Sequence, residues 1–155
     1  MPTAALLREP NCVLSAGSYI DVARLFQEIE FARFDKKRLK IDPMAVIITE
    51  SHRLRECDAQ LNASIGSTQT GTGAAVVDRV QRTPTLTFAK NIESLRPYLL
   101  DSKEYLANEI LRGSRVVIEG TQGFGLSVLH GGHYPYATSR DTTAAGFLAE
   151  VGLSP

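Results

Sequence analysis

Two glycine-rich stretches constrain this chain more than any other feature. The first is Ile65-Gly66-Ser67-Thr68-Gln69-Thr70-Gly71-Thr72-Gly73-Ala74-Ala75, and the second is Glu119-Gly120-Thr121-Gln122-Gly123-Phe124-Gly125-Leu126. Glycine lets backbone N–H groups approach a ligand closely, and the hydroxyl and amide side chains beside it can hydrogen-bond that ligand. The second stretch leaves the apolar run Val116-Val117-Ile118, which predicts a position at the carboxyl end of a buried strand. Open α/β sheets bind their ligands there. Two such loops point to a site for a phosphorylated small molecule.

Any phosphate must be held by that local site, because the chain as a whole has no field to attract one. Seventeen basic residues balance seventeen acidic ones. This argues against nucleic acid or an anionic membrane as a partner. The 155 residues suffice for one domain with a proper core, and the 43% hydrophobic and 22% charged content is that of a soluble globular chain. No apolar run approaches the length of a membrane span, and the first residues lack the pattern of a signal peptide. A cytoplasmic location is the expectation. Cys12 and Cys57 read as two reduced thiols, with a disulfide or metal site as the lesser alternative.

Helices and short apolar strands alternate along the chain, which predicts the α/β class. Residues 21–34 read as an amphipathic helix started by Asp21, with Val22, Leu25, Phe26 and Ile29 at helical spacing. Residues 38–49 are strand-like, cut in two by Pro43. Residues 50–61 are helical in pattern, and a short helix opens at Ala74 after the first loop. Residues 85–92 and 115–119 are further strand candidates. Asp101 or Ser102 caps a helix over 101–112 that presents Tyr105, Leu106, Ile110 and Leu111 and ends at Gly113. A last helix over 142–151 is capped from Asp141. Three or four strands are few for a self-sufficient sheet, so part of a larger fold is expected to lie outside this sequence.

In the first loop, the hydroxyls of Ser67, Thr68, Thr70 and Thr72 and the freed backbone form a plausible anion cradle, aided by the dipole of the helix that follows. A solvated linker is the plain alternative. The loop lacks the Gly-Lys-Ser/Thr ending of a P-loop. Arg82, two turns onward, can grip phosphate bidentately or simply cap a helix. Asp78, Arg79 and His52 read as ordinary helix residues, the first two on the surface. Gln122 adds an amide able to read a carbonyl or a purine edge. Residues 130–143 gather two histidines, two tyrosines, hydroxyls, Arg140 and Asp141. His130 and His133 lack a third ligand at suitable spacing, so no metal site is expected. Thr138, Ser139, Thr142 and Thr143 offer either a second phosphate contact or ordinary helix capping.

Taken together, in this order and separation, the loops resemble those of the adenylosuccinate synthetase family. The resemblance runs from about Asn11 to the end of the chain. It rests on Ile65-Gly66-Ser67-Thr68 with Gly71, Gly73 and Arg82 downstream, then on Glu119-Gly120-Thr121-Gln122-Gly123, then on Tyr134-Pro135-Tyr136-Ala137-Thr138-Ser139-Arg140-Asp141-Thr142-Thr143. The details look most like the shorter archaeal and phage-type members. That family joins IMP to aspartate using GTP and Mg2+, through a 6-phosphoryl-IMP intermediate, and works as a homodimer.

The resemblance implies a substrate site of Ser67, Thr68, Arg82, Gln122, Leu126 and Thr138. Thr68 and Thr138 would contact the IMP phosphate, and Arg82 would reach it from a neighbouring subunit. Gln122 would lie at the purine 6-position as a catalytic residue, and Leu126 would line the nucleotide pocket. Gln69-Thr70 stands where many relatives have Gly-Arg. No counterpart is found of the family's N-terminal loop with its catalytic aspartate, of the catalytic histidine, or of the guanine-recognition motif. The expected fold is therefore the central part of the family's fold, a single domain over 1–155 with a partial, mostly parallel sheet and flanking helices. Activity would need the missing segments or a complementing chain. The alternatives are a non-catalytic purine-monophosphate-binding module and part of a phage-type 2-aminopurine nucleotide succinate ligase.

Overall fold

The computed structural model describes residues 1–154. Its centre is a βαβ unit. Strands β1 (Cys12–Leu14) and β2 (Tyr19–Ile20) lead into helix α1 (Val22–Phe31), which crosses to β3 (Leu39–Ile41) and β4 (Val46–Ile47). β1 pairs with β3 and β2 with β4, both in parallel, with Cys12 opposite Leu39 and Ile20 opposite Ile47. Parallel pairing requires such a crossover. The two ladders are separate two-stranded sheets, divided on one side at the stretch that holds Pro43, which lacks an N–H. Asp42 occupies the break, where its buried carboxylate accepts from Met44 N and from both Ser102 N and Ser102 Oγ.

α1 begins where the sequence indicates. The Asp21 side chain accepts from Arg24 N, and Leu25 and Ile29 are buried while Val22 and Phe26 pack at the margin. Against this face lie Phe34, Leu39, Ile41, Ala45, Ile47 and Leu95, of which Ile41, Ala45 and Leu95 are wholly buried. Burial of this apolar surface is what holds the layer together. Helices α2 (Glu50–Asp58), α3 (Leu61–Ile65), α4 (Thr72–Gln81), α5 (Ser102–Leu111) and α6 (Ala144–Val151) follow. Cys12 is buried in β1 and Cys57 is exposed on α2, and they are not joined.

Several expectations are corrected. Residues 115–119 form no strand: Val117 is 75% exposed, and no backbone in the described residues pairs with the run. An apolar run becomes a strand only beside another strand. Residues 85–92 contribute a single antiparallel bridge, Val46 to Phe88, before a 3-10 turn at Ala89–Asn91. The helix over 50–61 splits at Gln60, whose φ of +51° ends one helix and starts the next. On α5, Asp101 is the cap, but Ile110 and Leu111 are exposed and only Leu106 and Ser102 are buried. α4 starts two residues early, at Thr72. α6 is capped by Thr143 rather than Asp141, its hydroxyl accepting from Gly146 N.

Candidate functional site

The first glycine-rich loop leaves α3 and enters α4. Gly71 caps α4 at a φ of +86°, and a β-carbon there would stand 2.9 Å from Ile48 Cγ2 and 3.0 Å from His52 Cβ. Only glycine satisfies both the backbone angle and this close approach. The predicted cradle at the start of α4 is not free, however. The buried Glu56 carboxylate accepts from Gly71 N at 2.8 Å and from Ala74 N at 3.1 Å. A carboxylate of the chain itself takes the place that the helix dipole would offer an anion. Two of the N–H groups that an anion could use at the start of α4 are therefore already taken.

Glu56 belongs to a polar face of α2 with His52 and Arg55. His52, 4% exposed, accepts from Thr49 N at Nδ1, so its Nε2–H is left to donate to Asp78 at 3.1 Å. Arg55 donates to the other Asp78 oxygen and to Ala74 O. Burial pushes the Asp78 carboxyl up, but the hydrogen bonds and charge of Arg55, and then of His52, outweigh it and hold it below the ordinary value. Asp78 and Arg79 are thus not surface residues as expected: Asp78 is buried and Arg79 donates to Ala16 O. The signal was present in the sequence as the i, i+3, i+4 spacing of His52, Arg55 and Glu56, one face of a helix.

The second loop and the 130–143 segment are bound to each other. Buried Ser127 donates to Asp141, and its oxygen accepts from Leu129 N and His130 N. Buried Thr142 donates to Gly123 O, and Thr138 N to Leu126 O at 2.8 Å. Hydrogen bonds from Thr143 and Ser127 hold the Asp141 carboxyl below its ordinary value. Phe124 and His130 stack with parallel rings. The first loop's helix approaches this assembly at Gly73, where a β-carbon would stand 3.8 Å from Ser139 Oγ. A cavity of about 350 Å³ opens there, with Arg55, Glu56, Gly73 and Ser139 on its wall.

The six expected site residues are distributed accordingly. Leu126 and Thr138 are joined directly, and Gln122, half-buried, precedes the Gly123 carbonyl that Thr142 holds. Ser67 accepts from Gln69 N, turning the first loop back on itself, and Thr68 is exposed beside it. Arg82 stands apart, at the far end of α4. The ten residues of that helix set it about 15 Å from the loop. Its φ is +57°, it is exposed, and its guanidinium has no hydrogen bond or ion pair among the described residues.

The sequence model of the adenylosuccinate synthetase family matches residues 1–89 and 84–155, the whole chain. The chain belongs to the adenylosuccinate synthetase family. It is 43% identical to the adenylosuccinate synthetase of Methanocaldococcus jannaschii, 45% to that of Methanococcus vannielii and 39% to that of Pyrococcus horikoshii, in each case over all of this chain. It spans 45 to 46% of the length of these curated relatives. Among solved structures it resembles the cyanophage S-2L succinoaminodeoxyadenylate synthetase bound to dGMP and dATP, at 30% identity and a TM-score of 0.72. The match covers 92% of this chain and 41% of the phage enzyme. The fully ligated adenylosuccinate synthetase of Plasmodium falciparum shares the fold, with a TM-score of 0.77 at 22% identity, over 92% of this chain and 43% of that one.

The fold class expected from the sequence, α/β with a partial parallel sheet, is that of these neighbours. Among the described residues no helix is long and apolar enough to cross a membrane.

Proposed function

We propose that this chain is the substrate-holding part of an adenylosuccinate synthetase of purine biosynthesis, a cytoplasmic ligase joining IMP to aspartate at the expense of GTP. The observation that carries the reading is the match of the family to every part of the chain, with the second loop and the 130–143 segment locked together. In this reading the hydroxyls of Thr68 and Thr138 donate to the IMP phosphate, with Ser67 shaping the loop that carries Thr68. Gln122 donates its amide N–H to the purine 6-oxygen, orienting it for phosphorylation, and Leu126 packs on the base. Holding reactants in register is a large part of any such rate enhancement.

Arg82 supplies the bidentate fork to the phosphate from a second copy of the chain. Its distance of about 15 Å from the first loop of its own chain supports a homodimeric site. Among the described residues no three His, Cys, Asp or Glu side chains converge to hold a metal. The Mg2+ and GTP of the family's reaction would draw most of their contacts from outside these residues.

Titration calorimetry with IMP tests the reading. Binding that Arg82→Ala abolishes while the fold survives is expected. The phage neighbour's bound dGMP makes that nucleotide the competing ligand. Preference for dGMP would turn the reading toward a 2-aminopurine nucleotide ligase, and a folded chain that binds neither would sink it.

A further inference from the structure

Arg140 lies two residues after Thr138 and outside the six residues above. Its side chain is only 16% exposed. One guanidinium nitrogen donates to Gly17 O at 3.0 Å and reaches the Glu150 carboxylate at 3.2 and 3.3 Å, while the group stands 5.2 Å above the Tyr19 ring. Gly17 is itself pressed against α6. Its N–H donates to Glu150 O, and a β-carbon on it would stand 2.5 Å from Glu150 Cβ. Arg140 thus ties three things together: the turn between β1 and β2, the last turn of α6, and the segment that carries Thr138.

That segment needs the tie. Residues 128–143 contain no helix or strand, so the direction of the Thr138 hydroxyl depends on point contacts. Thr138 N, Asp141 and Thr142 bind the segment to the second loop and Ser127 after it, where the regular structure is one 3-10 turn at Phe124–Leu126. Among the described side chains of 133–143, Arg140 alone hydrogen-bonds to the βαβ layer. Burial pushes the Glu150 carboxyl up, with Arg140 and then Arg79 opposing it, so loss of Arg140 leaves a half-buried acid with less to hold it in place.

We propose that Arg140 is a positioning residue, which fixes the Thr138 segment to the β1–β2 turn and to α6 and thereby sets the affinity for a purine monophosphate. The proposal rests on the reading of the site given above.

The test is calorimetric titration of the 155-residue chain with IMP, paired with hydrogen exchange of the unliganded protein. Arg140→Met is expected to weaken IMP binding about tenfold and to speed exchange over 126–143, leaving α1 slow. Arg140→Lys keeps the charge and one of the two acceptors, and recovers most of that affinity. Gly17→Ala keeps the Arg140 side chain but displaces its acceptors, Gly17 O and Glu150, and reproduces both changes even where Arg140→Met fails to fold.

Unchanged affinity in Arg140→Met, or weakened affinity with unchanged exchange over 126–143, overturns the proposal. If the wild-type chain binds no purine monophosphate, the functional reading falls and exchange alone decides. Faster exchange confined to 126–143 then sustains the clamp, and unaltered exchange removes it.

Discussion

In the βαβ layer Ile29, Leu39 and Ile41 are at most 2% exposed, and the backbone is paired strand to strand. Between α5 and α6, by contrast, Phe124, Leu129, Tyr134 and Tyr136 are 61 to 79% exposed, and order comes from the hydroxyls and carboxylates of Ser127, Asp141, Thr142 and Thr143. The two regions therefore depend on different physics. Hydrophobic burial is non-directional and tolerates any side chain of about the right volume. A hydrogen-bonded loop is directional, and each bond fixes the orientation of its neighbours. The first kind of order makes a domain, and the second aims a hydroxyl at a ligand.

The sharpest way to break this contrast is in the layer. Ile41→Ala removes a wholly buried side chain of the core cluster, and should cost about 2–5 kcal/mol across the whole molecule. Urea unfolding measures it. A loss below about 1 kcal/mol would mean that the layer is not the core. Next comes Ser127→Ala in the loop region. It leaves the Leu129 and His130 N–H groups without their acceptor and removes one of the two donors to Asp141 Oδ1, which should cost about 1–3 kcal/mol. The expected signature is local: proteolytic nicking and exchange rise over 124–143 while the urea midpoint moves less than for Ile41→Ala. Equal global and local effects would erase the distinction between the two regions.

The same contrast explains what was legible in the sequence. Asp21 and Asp101 as caps, the helical spacing of Leu25 and Ile29, and the break at Pro43 are local signals, and each has its counterpart in the structure. Val116-Val117-Ile118 carries an equally good local signal for a strand, but among the described residues no strand pairs with it. Pairing is a long-range property that no apolar run encodes by itself. At the site, the motif spacing identified the two loops. It did not reveal that Glu56, fifteen residues before Gly71, already fills the start of α4, because that contact links two helices. His52 and Asp78 escaped for the same reason, their partners lying 26 residues apart.

That α2–α4 network gives a smaller, pH-dependent effect. The Asp78 carboxyl is held below its ordinary value of 3.8. Its contribution is thus fully present above that value and is lost as pH falls through the lower folded one. Because Arg55 is about half exposed, the share is modest. Asp78→Asn should be less stable than the wild type at about pH 6, and the gap should narrow as pH falls below the ordinary carboxyl value, read from urea midpoints. A gap that persists undiminished in acid would show that packing, and not charge, joins α2 to α4.

The smallest stability change is expected where the functional change is largest. Arg82 closes α4 in the left-handed region, where a β-carbon is strained and glycine is the usual occupant. Its guanidinium makes no hydrogen bond or ion pair among the described residues that would offset this strain. Arg82→Gly relieves the strain but gains freedom in the unfolded chain, so the net change should lie within about 1 kcal/mol and favour the folded state. If the arginine is there to grip a phosphate bound on a second copy, the same substitution abolishes IMP binding. Stability and affinity then move in opposite directions at one position, which no residue of the core can do. A variant that is destabilised by more than about 1 kcal/mol, or that still binds IMP as tightly as the wild type, would place Arg82 in the fold and not in the site.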